Sequence, residues 1–105
     1  MSIDKVINKI EKGKQIGKIF SFKSGDETIW SSVAIQKIND FYRVYIDEIS
    51  ESKMNIEEYN KEYLKSFTNI KDAISFLNKN SQIELIDLQT LKGQKIFNPL
   101  FKDTE

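Results

Sequence analysis

The reactive side chains of this sequence are carboxylates, amines and phenols: 16 Asp and Glu, 16 Lys and Arg, and 4 Tyr, with no His and no Cys. Lack of His removes the commonest general base and metal ligand near neutrality, and lack of Cys removes thiolates, disulfides and zinc–thiolate sites. Ser-His-Asp and Cys-His arrangements therefore cannot be built. A carboxylate pair could still move protons and a Lys could form a Schiff base, but no spacing singles out one pair or one amine.

Three short segments come near known chemical motifs and miss. Gly13-Lys14-Gln15-Ile16-Gly17-Lys18 is one residue short of a phosphate loop, lacks Ser or Thr after Lys18 and has no strand before it. It reads as a helix-to-strand turn. Ser50 and Lys53 have a Ser-x-x-Lys spacing, but Glu48 and Glu51 nearby favour the charged, unreactive ammonium. Lys18-Ile19-Phe20-Ser21-Phe22-Lys23 interleaves basic and aromatic residues, as base-stacking sheets do, without the glycines of an RNA-recognition strand.

Charge is distributed more tellingly than its zero total suggests. Residues 1–24 carry six Lys against Asp4 and Glu11, a local net of +4, whereas residues 40–62 have a net of −4. The acidic stretch carries Asp47, Glu48, Glu51, Glu57, Glu58 and Glu62 among Tyr42, Tyr45, Tyr59 and Tyr63. Tyr supplies rigid contact area with a polar tip, and fixed charge steers association with a partner of opposite sign. The acids lack the glycine-centred alternation of a calcium loop. Candidate partner-binding residues are thus Tyr45, Asp47, Glu48, Glu51, Glu57, Glu58, Tyr59 and Glu62.

The elements that position these residues follow from periodicity. Ile3, Val6, Ile7 and Ile10 form one helical stripe, with Ser2 as N-cap and Gly13 just past the end. Residues 16–23, 28–38 and 41–49 read as strands, joined by turns at Ser24-Gly25-Asp26 and Asn39-Asp40. Alternation puts Ile29, Val33 and Ile35 on one face and Trp30, Ala34 and Ile38 on the other, and turns Tyr42, Val44 and Ile46 one way and Phe41, Arg43 and Tyr45 the other. Residues 49–54 read as a loop. Asn55 with Glu58 suggests a capping box, and Ile56, Tyr59 and Tyr63 continue at helical spacing, with residues 62–67 as an alternative fourth strand. Asn69 with Asp72 starts a helix through Ile70, Ala73, Ile74 and Leu77. Residues 82–88 read as a short strand. The tail from Leu91 holds Ile96, Phe97, Leu100 and Phe101 and should dock, with Lys92, Gly93 and Lys95 in a distinctive loop.

The expected architecture is a single α+β domain over residues 1–105. It has an N-terminal helix, an antiparallel β-meander of three to four strands, one or two helices on one sheet face, a short C-terminal strand and a docked tail. The other face, with Trp30, Phe41 and Tyr45, could be closed by the terminal segments or left to a partner. No bilayer-spanning run, secretory signal or lipidation motif is visible, so the expected location is cytoplasmic, without membrane association. The expected function is a non-enzymatic protein-binding module without cofactor or metal. A bacterial immunity or antitoxin-type inhibitor, neutralising a basic toxin domain, fits the size and charge. An accessory subunit or adaptor is the alternative, and a single-stranded nucleic-acid-binding sheet protein a further one. Homodimerisation is compatible with all of these.

Overall fold

The computed structural model describes residues 3–91 and 95–100. Helix α1 (Ile3–Glu11) is followed by strands β1 (Ile16–Ser24), β2 (Glu27–Ile38) and β3 (Phe41–Ser50), a short 3-10 helix (Glu51–Ile56) and strand β4 (Lys61–Phe67). Helix α2 (Ile70–Asn80), a 3-10 turn (Leu85–Asp87) and strand β5 (Gln89–Thr90) complete the order. The sheet is five-stranded, antiparallel throughout, in the order β4-β3-β2-β1-β5. The fold is α+β, a meander with its last short strand added beside its first.

Local chemistry accounts for the boundaries. Gly13 takes φ +84°, and the bonds Gly13 N–H to Ile10 O and Lys14 N–H to Lys9 O close α1 as a Schellman cap. Asn39 adopts φ 54° in the two-residue β2–β3 turn. Asn69 Oδ1 accepts the Asp72 N–H at 3.0 Å, so the capping reading of α2 holds. Ser2 lies outside the described residues.

Alternation then sorts the faces. Val6 and Ile10 of α1, Ala73 and Leu77 of α2, and Leu85 and Leu88 pack with Ile16, Val33, Ile35, Val44 and Ile46 into the main core on one side of the sheet. Each of the Val, Leu and Ile side chains, once buried, contributes roughly 1.5–3 kcal/mol. The opposite side, called the outer face below, carries Gly17, Ile19, Trp30, Ser32, Ala34, Arg43, Tyr45, Asp47, Ile49, Glu62 and Leu64.

Two segments differ from the expected elements. Residues 55–63 form no α-helix. Glu57, at φ 52°, ends the 3-10 helix, and the Asn60 N–H bonds to Glu48 O at 2.8 Å, leading the chain into β4. Pairing Lys61–Phe67 along the free side of β3 gives seven residues a ladder, which outweighs the helical spacing of Ile56, Tyr59 and Tyr63. The stretch read as loop from Ile49 is likewise the end of β3 and the 3-10 helix. Residues 82–88 are not a strand. Asn78 Oδ1 takes the Leu85 N–H at 3.0 Å, and a Glu84/Asp87 capping box winds the turn that buries Leu85 and Leu88, so pairing begins only at Gln89.

Candidate functional site

The tail divides the outer face into two halves. Ile96 and Phe97 pack with Ala34, Leu64 and Tyr45 as a second small core, and the Phe97 ring stacks on Tyr45 with centroids 5.7 Å apart. Buried Gln15 anchors this tail. Its Oε1 accepts from the Ile96 N–H at 2.8 Å, and its Nε2 donates to Phe97 O at 3.0 Å and to Gln36 Oε1 at 2.8 Å. Arg43 Nη1 donates to Pro99 O at 2.7 Å. The tail was expected to dock, and Ile96 and Phe97 do so, while Leu100 is exposed. Lys92, Gly93, Gln94 and Phe101 lie outside the described residues.

Beyond the tail no described segment lies over the face. Ile19, Trp30, Ser32, Asp47, Ile49, Met54, Glu57 and Tyr59 line a shallow depression of about 290 Å³. Ile19 is 62% exposed, Met54 43% and Tyr59 41%, so the described residues leave this apolar surface without cover. β1, β2 and β3 supply the floor, and the 51–60 connection forms one rim. That rim is held by the left-handed Glu57, a backbone state costing a side-chain-bearing residue roughly 1–2 kcal/mol.

Carboxylates line this half. Asp47, buried in the floor, accepts the Ser32 N–H on Oδ1 at 2.7 Å and the Tyr45 hydroxyl on Oδ2 at 2.9 Å. The same hydroxyl lies 2.8 Å from Glu62 Oε2. One phenol carries one proton and can satisfy only one of the two acids fully at a time. Burial, then the charge of nearby Glu62, pushes the Asp47 carboxyl above its usual range, against the bonds from Ser32 and Tyr45. Burial, then the charge of Asp47 and the bond to Glu62, holds Tyr45 firmly protonated, and burial with the same acids raises Tyr59. Glu51 accepts the Trp30 indole N–H at 3.2 Å. Among the described residues, Asp47, Glu51, Glu57 and Glu62 have no ion pair.

Of the eight residues singled out in the sequence, six gather here: Tyr45, Asp47, Glu51, Glu57, Tyr59 and Glu62. Glu48 does not, since period-two alternation turns it to the helix side, where it pairs with Lys61 at 3.4 Å. Glu58 pairs with Lys53 at 3.3 Å. Charge-based reading missed the apolar members Ile19, Trp30, Ile49 and Met54 as site residues, although alternation already placed Trp30 on this face. Phe20 and Phe22 project to the helix side, and Phe20 packs against the main core, so neither aromatic ring enters the open half.

No group of three or more Asp and Glu among the described residues is arranged to hold a metal ion. No described helix is long and apolar enough to cross a membrane. No protein-family model matches this chain, and no curated protein or solved structure matches it either.

Proposed function

We propose that the protein is a non-enzymatic binding module whose uncovered half of the outer face docks a basic protein partner. One observation carries this reading: exposed Ile19 on the sheet and Met54 and Tyr59 on its rim are bordered by carboxylates that have no ion pair among the described residues. Apolar patches on small proteins mark interaction sites, and a ring of one charge sign selects a partner of the other. An aromatic anchor such as Trp30, flanked by Tyr45 and Tyr59, has the composition of an interface centre. Lys or Arg of the partner would supply the positive charge that Asp47 and Glu62 lack. Within this class, the size and acidic face fit an immunity or antitoxin-type inhibitor that covers the basic cleft of a toxin domain. An adaptor subunit would use the same surface.

Affinity capture from source cells with the immobilised full chain, beside the Trp30→Ala and Glu57→Lys/Glu62→Lys variants, tests it. A basic protein retained by the parent, with affinity lost about 30-fold or more in Trp30→Ala, is the expected outcome. The double charge reversal should slow association at low salt and converge with the parent as salt rises. Equal retention of every captured protein by all three chains would remove the proposal.

A further inference from the structure

The outer edge of β1 carries a second interaction surface, independent of the first. β5 pairs with β1 only at Ile16 and Gly17, and no described strand lies beside Lys18–Ser24 on that side. The flanking hairpins fix which backbone groups are left over. Two-residue hairpins close on a pair that exchanges both of its hydrogen bonds, and the closing pairs here are Ser24 with Glu27 and Ile38 with Phe41. Stepping back by two from Ser24, Phe22, Phe20 and Lys18 bond to β2. Ile19, Ser21 and Lys23 turn their N–H and C=O groups outward, as Gly17 does where it meets Gln89.

This free edge is seven residues long. β5 closes one end and the Gly25 turn the other, and open space surrounds Gly25. Its midpoint is Ser21, an outward-bonding residue, so a two-fold axis there opposes Ser21 to its own copy as a pair that exchanges both hydrogen bonds and uses the edge over its full length. We propose that a second copy of this chain occupies the edge, β1 against β1, centred on Ser21.

In that register Ser21 faces Ser21 of the second copy, Ile19 faces Lys23, Phe20 faces Phe22, and Lys18 faces Ser24. No lysine opposes a lysine, and the aliphatic stem of Lys23 lies along exposed Ile19. Phe20 and Phe22, half-buried with ring centroids 6.3 Å apart, meet the same pair from the other copy on the helix side of the sheet. A basic partner strand is disfavoured on this edge, because Lys18 and Lys23 lie on it while the carboxylates lie on the outer face. Self-pairing also leaves the open half of the outer face free, and joins the two copies' sheets and open surfaces side by side.

Sedimentation of the full chain across concentration, with cysteine variants of this naturally cysteine-free protein, tests the proposal. The mass should rise with concentration from 12.3 kDa toward twice that value. Across the axis the two Cα atoms of residue 21 would lie about 5.5 Å apart, within disulfide range, so Ser21→Cys should oxidise to a covalent dimer far faster than exposed Ser52→Cys. Ser21→Pro removes an outward N–H without touching a β2 bond and should keep the circular dichroism of the fold while remaining monomeric. A chain that stays at 12.3 kDa up to about 1 mM would overturn the proposal. So would a dimer in which Ser21→Cys links no faster than Ser52→Cys.

Discussion

The two halves of the outer face are built from the same strands and differ in what covers them. On one half, Gly17, Ala34 and Arg43 meet the tail, every contact is intramolecular, and Gln15 satisfies the tail's backbone groups. On the other, exposed Ile19, half-buried Trp30 and buried Ile49 line the depression beside acids that have no ion pair among the described residues. Small size and absent side chains mark the sealed half, where glycine and alanine admit another segment. Large apolar and acidic side chains mark the open half. A sheet face can thus be half core and half surface, and on β1 the step from Gly17 to Ile19 marks where the division falls.

The comparison breaks most readily at Gly17. A Cβ there would stand 2.6 Å from Val33 O and 2.7 Å from Ile96 Cδ1, so Gly17→Val must shift β1 against β2 and push the tail away. A loss of about 3 kcal/mol in urea unfolding is expected, with faster proteolysis of the C-terminal segment. Gln15→Ala strands buried groups on Gln36, Ile96 and Phe97 and should cost about 2 kcal/mol, with the same proteolytic signature.

Changes on the open half should behave differently. Glu57→Gly relieves the left-handed backbone and should raise stability by about 1 kcal/mol in the same assay, while weakening partner association. Ile19→Ser, at a residue 62% exposed, should change stability by no more than about 0.5 kcal/mol.

Acid titration sharpens the contrast further. The Asp47 carboxyl is raised in the folded chain, so between its unfolded and folded values the folded state holds more protons than the unfolded one. Its contribution to stability is therefore fully present below the ordinary aspartate range and is lost as pH rises through the raised value. Asp47→Asn should be at least as stable as the parent at neutral pH, and that advantage should shrink in acid. Unfolding of both chains at several pH values reads this directly.

Much of the fold was legible because alternation is local. The order of Trp30, Val33, Ala34 and Ile35 already assigned faces to β2, and Asn69 with Asp72 located α2. The β4 region was ambiguous because Ile56, Tyr59 and Tyr63 fit a helix, while the ladder that overrides them comes from β3. The route of the tail was not legible, since its anchor, Gln15, is 81 residues from Ile96. At the site, the density of acids found the region but overcounted it. Period-two parity alone would have sent Glu48 to the helix side, and would have promoted Trp30 from open-face residue to site residue.

Trp30 is the chain's one tryptophan and sits within the open half, which makes it a built-in reporter. Fluorine NMR of 5-fluorotryptophan-labelled protein, titrated with the captured partner, reports whether the partner seats on this surface. The single resonance should shift and lose its sensitivity to deuterated solvent as the complex forms. Formation of that complex with the resonance unmoved and still solvent-sensitive would contradict docking there.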